Sequence, residues 1–268
     1  MDLTITYWLL YAGTGLVTGV LAGLMGVGGG LVIVPALTMI FTAQGYPHQF
    51  LAHAVLGTSL ATIIFTSISS FRAHHQRGGV NWRIVRDITL GILVGTFCGS
   101  WVAAQLSTNF LKIFFAIFLL LVAAQMFLDF KPKASREMPG VLGTNLAGLL
   151  IGLVSALVGI GGGSMSVPFM IWCNVDTRNA IGTSAAIGLP IAVAGGAGYL
   201  INGLGAADLP DYSLGFIYLP AMVGIALLSI TTAPLGAKLA HTLPVPVLKK
   251  GFALLLVIMS ARMLWGAL

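Results

Sequence analysis

A short glycine-rich run occurs twice in this chain, each time inside apolar sequence that would otherwise read as helix. Gly26-Val27-Gly28-Gly29-Gly30 is followed by Pro35, and Gly159-Ile160-Gly161-Gly162-Gly163 is followed by Pro168. The flanks agree as well. Residues 19–37 lie over residues 152–170 without a gap, 133 positions apart. Glycine runs interrupt helices, because they leave the backbone free to take conformations that a side chain forbids. Within a membrane, irregular backbone survives only where protein or a water-filled cavity satisfies its polar groups. Two matched interruptions, one in each half of a chain, are the sequence mark of a transporter's central binding region.

The membrane setting follows from composition. Of the 268 residues, 57% are hydrophobic and 7% charged, against about 25% charged in a soluble domain. Residues 88–104 and 113–128 carry no charge at all. At about 1.5 Å per residue, some 20 residues cross a hydrocarbon core of about 30 Å. The N-terminal stretch has Asp2 and no basic cluster, so it reads as the start of a first membrane segment, not as a cleaved signal. Cys98 and Cys173 sit in apolar segments at non-corresponding places, as packing residues do.

The repeat extends beyond the glycine run. Leu56-Gly57-Thr58-Ser59 matches Ile181-Gly182-Thr183-Ser184, Gly99 matches Gly236, and Phe115-Ala116 matches Phe252-Ala253. The expected fold is an all-α integral membrane protein of two repeats, residues 1–130 and 140–268, joined by a polar cytoplasmic linker over 131–139. Each repeat holds five apolar segments: 5–26, 31–42, 51–71, 86–106 and 110–128, then 142–159, 164–173, 180–201, 214–237 and 246–266. The second segment of each half is long enough for about half a crossing. Either it forms a re-entrant hairpin with the first segment, or it is a half-helix after a full span. The total is then roughly eight full spans plus half-helices.

Cationic residues set the orientation, because they gather on the cytoplasmic side. Placing Arg72, Arg77, Arg83 and Arg86 inside brings Lys131, Lys133, Arg136, Arg178, Lys238, Lys249 and Lys250 inside too. Eleven of the thirteen basic residues then share one face, with Lys112 and Arg262 outside. An odd number of segments per half inverts the second repeat against the first and puts both termini outside. The net charge of +6 is explained by this bias and needs no nucleic-acid partner.

The chemistry is that of anion capture. A helix restarting after Gly26, Gly28, Gly29 and Gly30, or after Gly159, Gly161, Gly162 and Gly163, leaves its first amides unpaired and aims the positive end of its dipole at a ligand. The competing reading is a kink for close packing. Thr58, Ser59, Thr183 and Ser184 are expected to open the third long helix of each half, as caps or as donors to the anion. Arg178 is the cation nearest a membrane entrance, with His53 at the matching place in the first half. His74 and His75 read as part of a solvated loop. Apart from segment ends, no carboxylate interrupts the segments, which argues against a proton relay or a cation site. A nucleotide loop, a metal set and a Gly-x-Ser-x-Gly nucleophile are all missing from the sequence, so no enzyme and no cofactor is expected.

The doubled pattern resembles the TauE/SafE family of membrane anion exporters over essentially the whole chain. Gly19, Gly23, Gly26, Gly28, Gly29, Gly30, Pro35 and Leu37 carry it in the first half. In the second half, Gly152, Gly159, Gly161, Gly162, Gly163 and Pro168 carry it, with Ala156 replacing one glycine. The resemblance implies a bacterial inner-membrane permease that exports sulfite, a sulfonate such as sulfoacetate, or a related oxoanion, with the lipid bilayer as its surroundings. It leaves a homo-oligomer open. An importer, a channel of the same fold and a non-transporting scaffold are the alternatives.

Overall fold

The computed structural model describes residues 4–26, 28–128, 136–242 and 245–265; the side chains of 241, 242, 245–250 and 265 lie outside that description. The expected linker therefore falls mostly outside the described residues, as do the side chains of Lys249 and Lys250. Among the described residues ten α-helices follow one another: α1 (Ile5–Met25), α2 (Gly30–Ala43), α3 (Leu51–His75), α4 (Trp82–Ala104), α5 (Thr108–Phe127), α6 (Val141–Val158), α7 (Gly163–Trp172), α8 (Thr177–Gly203), α9 (Leu219–Thr242) and α10 (Val245–Trp265). Among the described residues, seven helices are long and apolar enough to cross a membrane. With 14 and 10 residues, α2 and α7 reach only about 21 and 15 Å. The chain is an all-α integral membrane protein, as its composition dictates.

One expected boundary is displaced. The next-to-last apolar stretch does not enter its helix at 214. Ser213–Leu214 instead pairs antiparallel with Ile217–Tyr218 around Gly215, and α9 starts after it. The Gly-Thr-Ser motifs are corrected too. They do not open their helices, because α3 begins at Leu51 and α8 at Thr177. Both motifs lie two turns inside. His74 and His75 also leave the expected loop, because α3 runs on through them.

Small residues dictate which helices touch. Along α1, a Cβ added at Gly15, Gly19 or Gly23 would run into the backbone of α9 at Ile225, Ser229 and Ala233 in turn. The paired residues rise together, so α1 and α9 are parallel. Along α4, Gly91, Gly95 and Gly99 meet Asn145, Leu149 and Leu153 of α6 in the same way. Backbones approach this closely only where side chains are missing. The two central helices behave differently. Gly57 meets Tyr199, Gly195 meets Leu60 and Gly188 meets Ser67, so α3 and α8 run antiparallel. They are the most enclosed of the candidate spans, and the rest of the molecule is arranged around them.

The two short helices fold back on their predecessors. Tyr7 Oη donates to Ala43 O (3.3 Å) and Tyr11 Oη to Gln44 Oε1 (2.8 Å). The end of α2 thus returns to the level where α1 begins. On the other side, the Arg136 guanidinium lies 5.1 Å from the Trp172 ring centre, bringing the end of α7 back to the start of α6. Both pairs fold as hairpins.

Candidate functional site

Each glycine run builds the tip of one hairpin. Gly26 ends α1 at φ 67° and Gly29 caps α2 at φ 85°; Gly159 and Gly162 do the same for α6 and α7 at 66° and 73°. These are left-handed conformations that a side chain resists, which is why the sequence spends glycine there. Pro35 and Pro168 each stand sixth in the restarted helix, where their missing amides free a carbonyl one turn earlier.

The tips meet. A Cβ on Gly28 would stand 3.1 Å from Gly161 Cα and 3.0 Å from Ile63 Cγ2. Ile63 is the thirteenth of the 25 residues of α3, so the two turns converge at the midpoint of the central helix. Neither α2 nor α7 has a side-chain N-cap. The amides of Gly30, Leu31, Gly163 and Ser164 donate to no carbonyl among the described residues. Two uncapped helix starts therefore face the middle of the fold.

The Gly-Thr-Ser hydroxyls lock this junction across the halves. Ser59 Oγ donates to Gly159 O (2.8 Å) and Ser184 Oγ donates to Gly26 O (2.8 Å). Each serine thus holds the other half's turn. The threonines also act as a pair. Thr58 Oγ1 accepts from Tyr218 N (2.9 Å) and Thr183 Oγ1 from Asn81 N (2.9 Å). All four side chains are fully buried. They cap no helix of their own; each fastens the backbone of a different element.

Around the turns lie hydroxyls that the sequence motifs did not single out. Thr18, Ser67, Ser155 and Ser164 each carry a buried oxygen without a hydrogen-bond partner. Thr18 packs on Gly29, and Ser155 Oγ stands 3.2 Å from a Cβ placed on Gly162. Ser67 Oγ stands 2.8 Å from a Cβ placed on Gly188, where Gly161 O is also near (3.4 Å). A buried hydroxyl left unpaired costs about 1–3 kcal/mol. Finding four around two uncapped helix starts points to a polar guest. Ser155 and Ser164 flank the second run closely enough to have been noticed. Thr18 and Ser67 have no local signal.

The remaining candidates separate. Arg178 is exposed in the first turn of α8, its amide bonded to Asp176 Oδ2 at 2.9 Å; it belongs to the rim, three residues before the Ile181 carbonyl that abuts Gly26. His53 is buried, with Nε2 3.2 and 3.1 Å from the carbonyls of Ala103 and Leu106, so it ties α3 to the end of α4. His74 is also buried, its Nε2 2.8 Å from Gly23 O.

Comparison with known proteins places this architecture. The family model described as sulfite exporter TauE/SafE matches residues 11–263. The chain is 38% identical to a probable membrane transporter protein of Haemophilus influenzae, over 96% of this chain and 98% of that one. It is 30% identical to a probable membrane transporter protein of Methanocaldococcus jannaschii, covering 84% and 83%. A further relative of that description, YdhB of Bacillus subtilis, is 28% identical over 88% and 91%. No solved structure matches the chain.

Proposed function

The chain belongs to the TauE/SafE sulfite exporter family and is a multi-pass membrane transporter; from that premise we propose that it carries a small sulfur-containing oxoanion, sulfite or a sulfonate such as sulfoacetate, outward across the inner membrane. The observation that carries this reading is the central junction: two uncapped helix starts among hydroxyls that have no partner of their own. Free amides at the positive ends of two helix dipoles suit an anion with several acceptor oxygens. Hydroxyls supply further donors without a fixed charge, which favours release.

In this reading Gly26, Gly28, Gly29 and Gly30, with Gly159, Gly161, Gly162 and Gly163, let the anion approach the backbone. Thr58, Ser59, Thr183 and Ser184 hold the two turns together and are released, one side at a time, as access alternates. Arg178 gathers anions at the inner rim. The antiparallel pairing of α3 with its repeat counterpart α8 supports two inverted repeats, with the hairpins entering from opposite faces and both termini outside. An interior-negative potential drives an anion outward by about 2.3 kcal/mol per charge per 100 mV, so export needs no intramembrane carboxylate.

The test is sulfite flux from proteoliposomes under an imposed potential, in the wild type and in Thr18→Val, Ser67→Ala and Ser155→Ala. Among the described residues these hydroxyls bond nothing, so their loss should leave the melting temperature unchanged or raised. Saturable efflux, counterflow and an affinity weakened about tenfold or more by the combined changes are expected. Efflux that never saturates makes the protein a channel. If no oxoanion is carried and none stabilises the purified protein, the proposal fails.

A further inference from the structure

The two cations that the charge bias leaves outside do not lie apart. Lys112 of α5 and Arg262 of α10 line one cavity of about 600 Å³, together with Thr38 and Thr42 of α2, Tyr46 and His48. The cavity runs along α2 from Pro35 to the outer end of the α1–α2 hairpin. Among the described residues its wall contains no carboxylate.

Lys112 is the unusual member. A lysine near a membrane surface ordinarily buries its stem and leaves its ammonium in water. Lys112 is only 7% exposed. Among the described residues it makes no ion pair and no hydrogen bond. It is the fifth residue of α5, whose first turn holds no acidic side chain, so the helix dipole adds positive potential there. Its stem is enclosed while its ammonium faces the cavity without a counter-charge among the described residues, which favours an anion there. Arg262 adds a second cation to the same space. The repeat offers a second, independent sign. The offset of 137 that lays Phe115-Ala116 over Phe252-Ala253 also lays Lys112 over Lys249. Lys249 is the fifth residue of α10, as Lys112 is of α5. A lysine kept in both halves at that step is more than a stray surface charge.

We propose that this cavity is a second anion site, separate from the glycine junction, in which Lys112 and Arg262 bind an oxoanion group at the outer end of α2. As a station for exported anions it rests on the transport reading above; as an anion site it stands on Lys112 and the cavity alone. The same group could arrive as a free oxoanion or as an anionic lipid headgroup.

Equilibrium binding of radiolabelled sulfite to the full chain in phosphatidylcholine nanodiscs separates the cases. The wild type should bind two anions per chain. Lys112→Gln should bind one, and Arg262→Gln should weaken that outer site about tenfold or more. Without anion, Lys112→Gln should melt higher than the wild type, because an uncompensated charge is gone; that also guards against a variant that fails to fold. Thr18→Val with Ser67→Ala and Ser155→Ala should remove the other anion and leave the Lys112-dependent one. In nanodiscs containing phosphatidylglycerol, loss of the Lys112-dependent sulfite, with lipid retained on the wild type and not on Lys112→Gln in native mass spectrometry, identifies the headgroup as the occupant. The proposal is overturned if Lys112→Gln binds sulfite and retains phosphatidylglycerol as the wild type does. A normal second site beside an inactive junction would sink the transport reading and leave this one standing.

Discussion

The two halves of the molecule make the same joints with different residues. His74 Nε2 meets Gly23 O at 2.8 Å, and at the corresponding step Tyr199 Oη donates to Ala156 O at 2.9 Å. Position 23 is a glycine pressed against the Ala233 carbonyl of α9, whereas its counterpart Ala156 carries a methyl that rests against Gly99 of α4. Ser59 holds Gly159 alone, while Ser184 holds Gly26 and also accepts from Ser166 at 2.8 Å. The lesson is that the repeat preserves a geometry: a donor to one carbonyl, a small residue at one crossing, a hydroxyl on one turn. Side chains that supply the same atom in the same place are interchangeable to it. Those that change volume at a backbone contact are not.

The sharpest break in that comparison is an exchange at the 23/156 pair. Gly23→Ala pushes a methyl into the Ala233 carbonyl and the Ala237 amide, where no flexible side chain can yield. It should lose about 1–3 kcal/mol or more, or fail to yield folded protein. Ala156→Gly removes a methyl from the roomier crossing and should lose only about 1 kcal/mol. Melting temperatures of the two purified variants decide it, and equal losses would mean the halves are packed alike.

The serine ties come next. Ser184→Ala strands both the Gly26 carbonyl and the Ser166 hydroxyl, and should destabilise by about 1–3 kcal/mol. Ser59→Ala strands one carbonyl and should cost less. Thermal unfolding of both, and of the double variant, would contradict the cross-half lock if neither moves the transition.

His74→Phe removes the bond to Gly23 O and should cost at least about 0.5–1.5 kcal/mol, the range expected for Tyr199→Phe. His74→Tyr restores a donor and should recover part of that loss; if it is worse than Phe, the inner crossing has no room for a phenol and the halves are not interchangeable there. The smallest effect belongs to Gly196→Ala. Its Cβ would find nothing closer than 3.8 Å, and alanine favours the helix by up to about 1 kcal/mol. A slight rise in melting temperature is expected, and a fall would show that open space at a helix crossing is itself needed.

Much of this was legible in the chain. The segments expected at 31–42 and 164–173 are the helices Gly30–Ala43 and Gly163–Trp172, because a glycine turn before and a polar loop after leave little room for error. The ends of α3 and α8 were harder to read. His74 and Thr183 look polar enough to stop a helix, and they do not stop one because each finds a backbone group of another element to bond. Arg178, expected near a membrane entrance, is exposed in the first turn of α8 and separate from the buried junction. Thr18 and Ser67 were invisible, since nothing local distinguishes an isolated hydroxyl in an apolar helix from a packing residue.

The sequence by itself determined the medium, the helical class, the doubled plan and the two places where the helix must break. Those follow from local rules: hydrophobic length against bilayer thickness, and glycine against helix. Which hydroxyls surround the breaks, which serine holds which turn, and that Lys112 and Arg262 share a cavity were decided only by tertiary structure. Each of these depends on residues brought together from distant parts of the chain, 100 positions apart for Ser59 and Gly159, and no local preference carries that information.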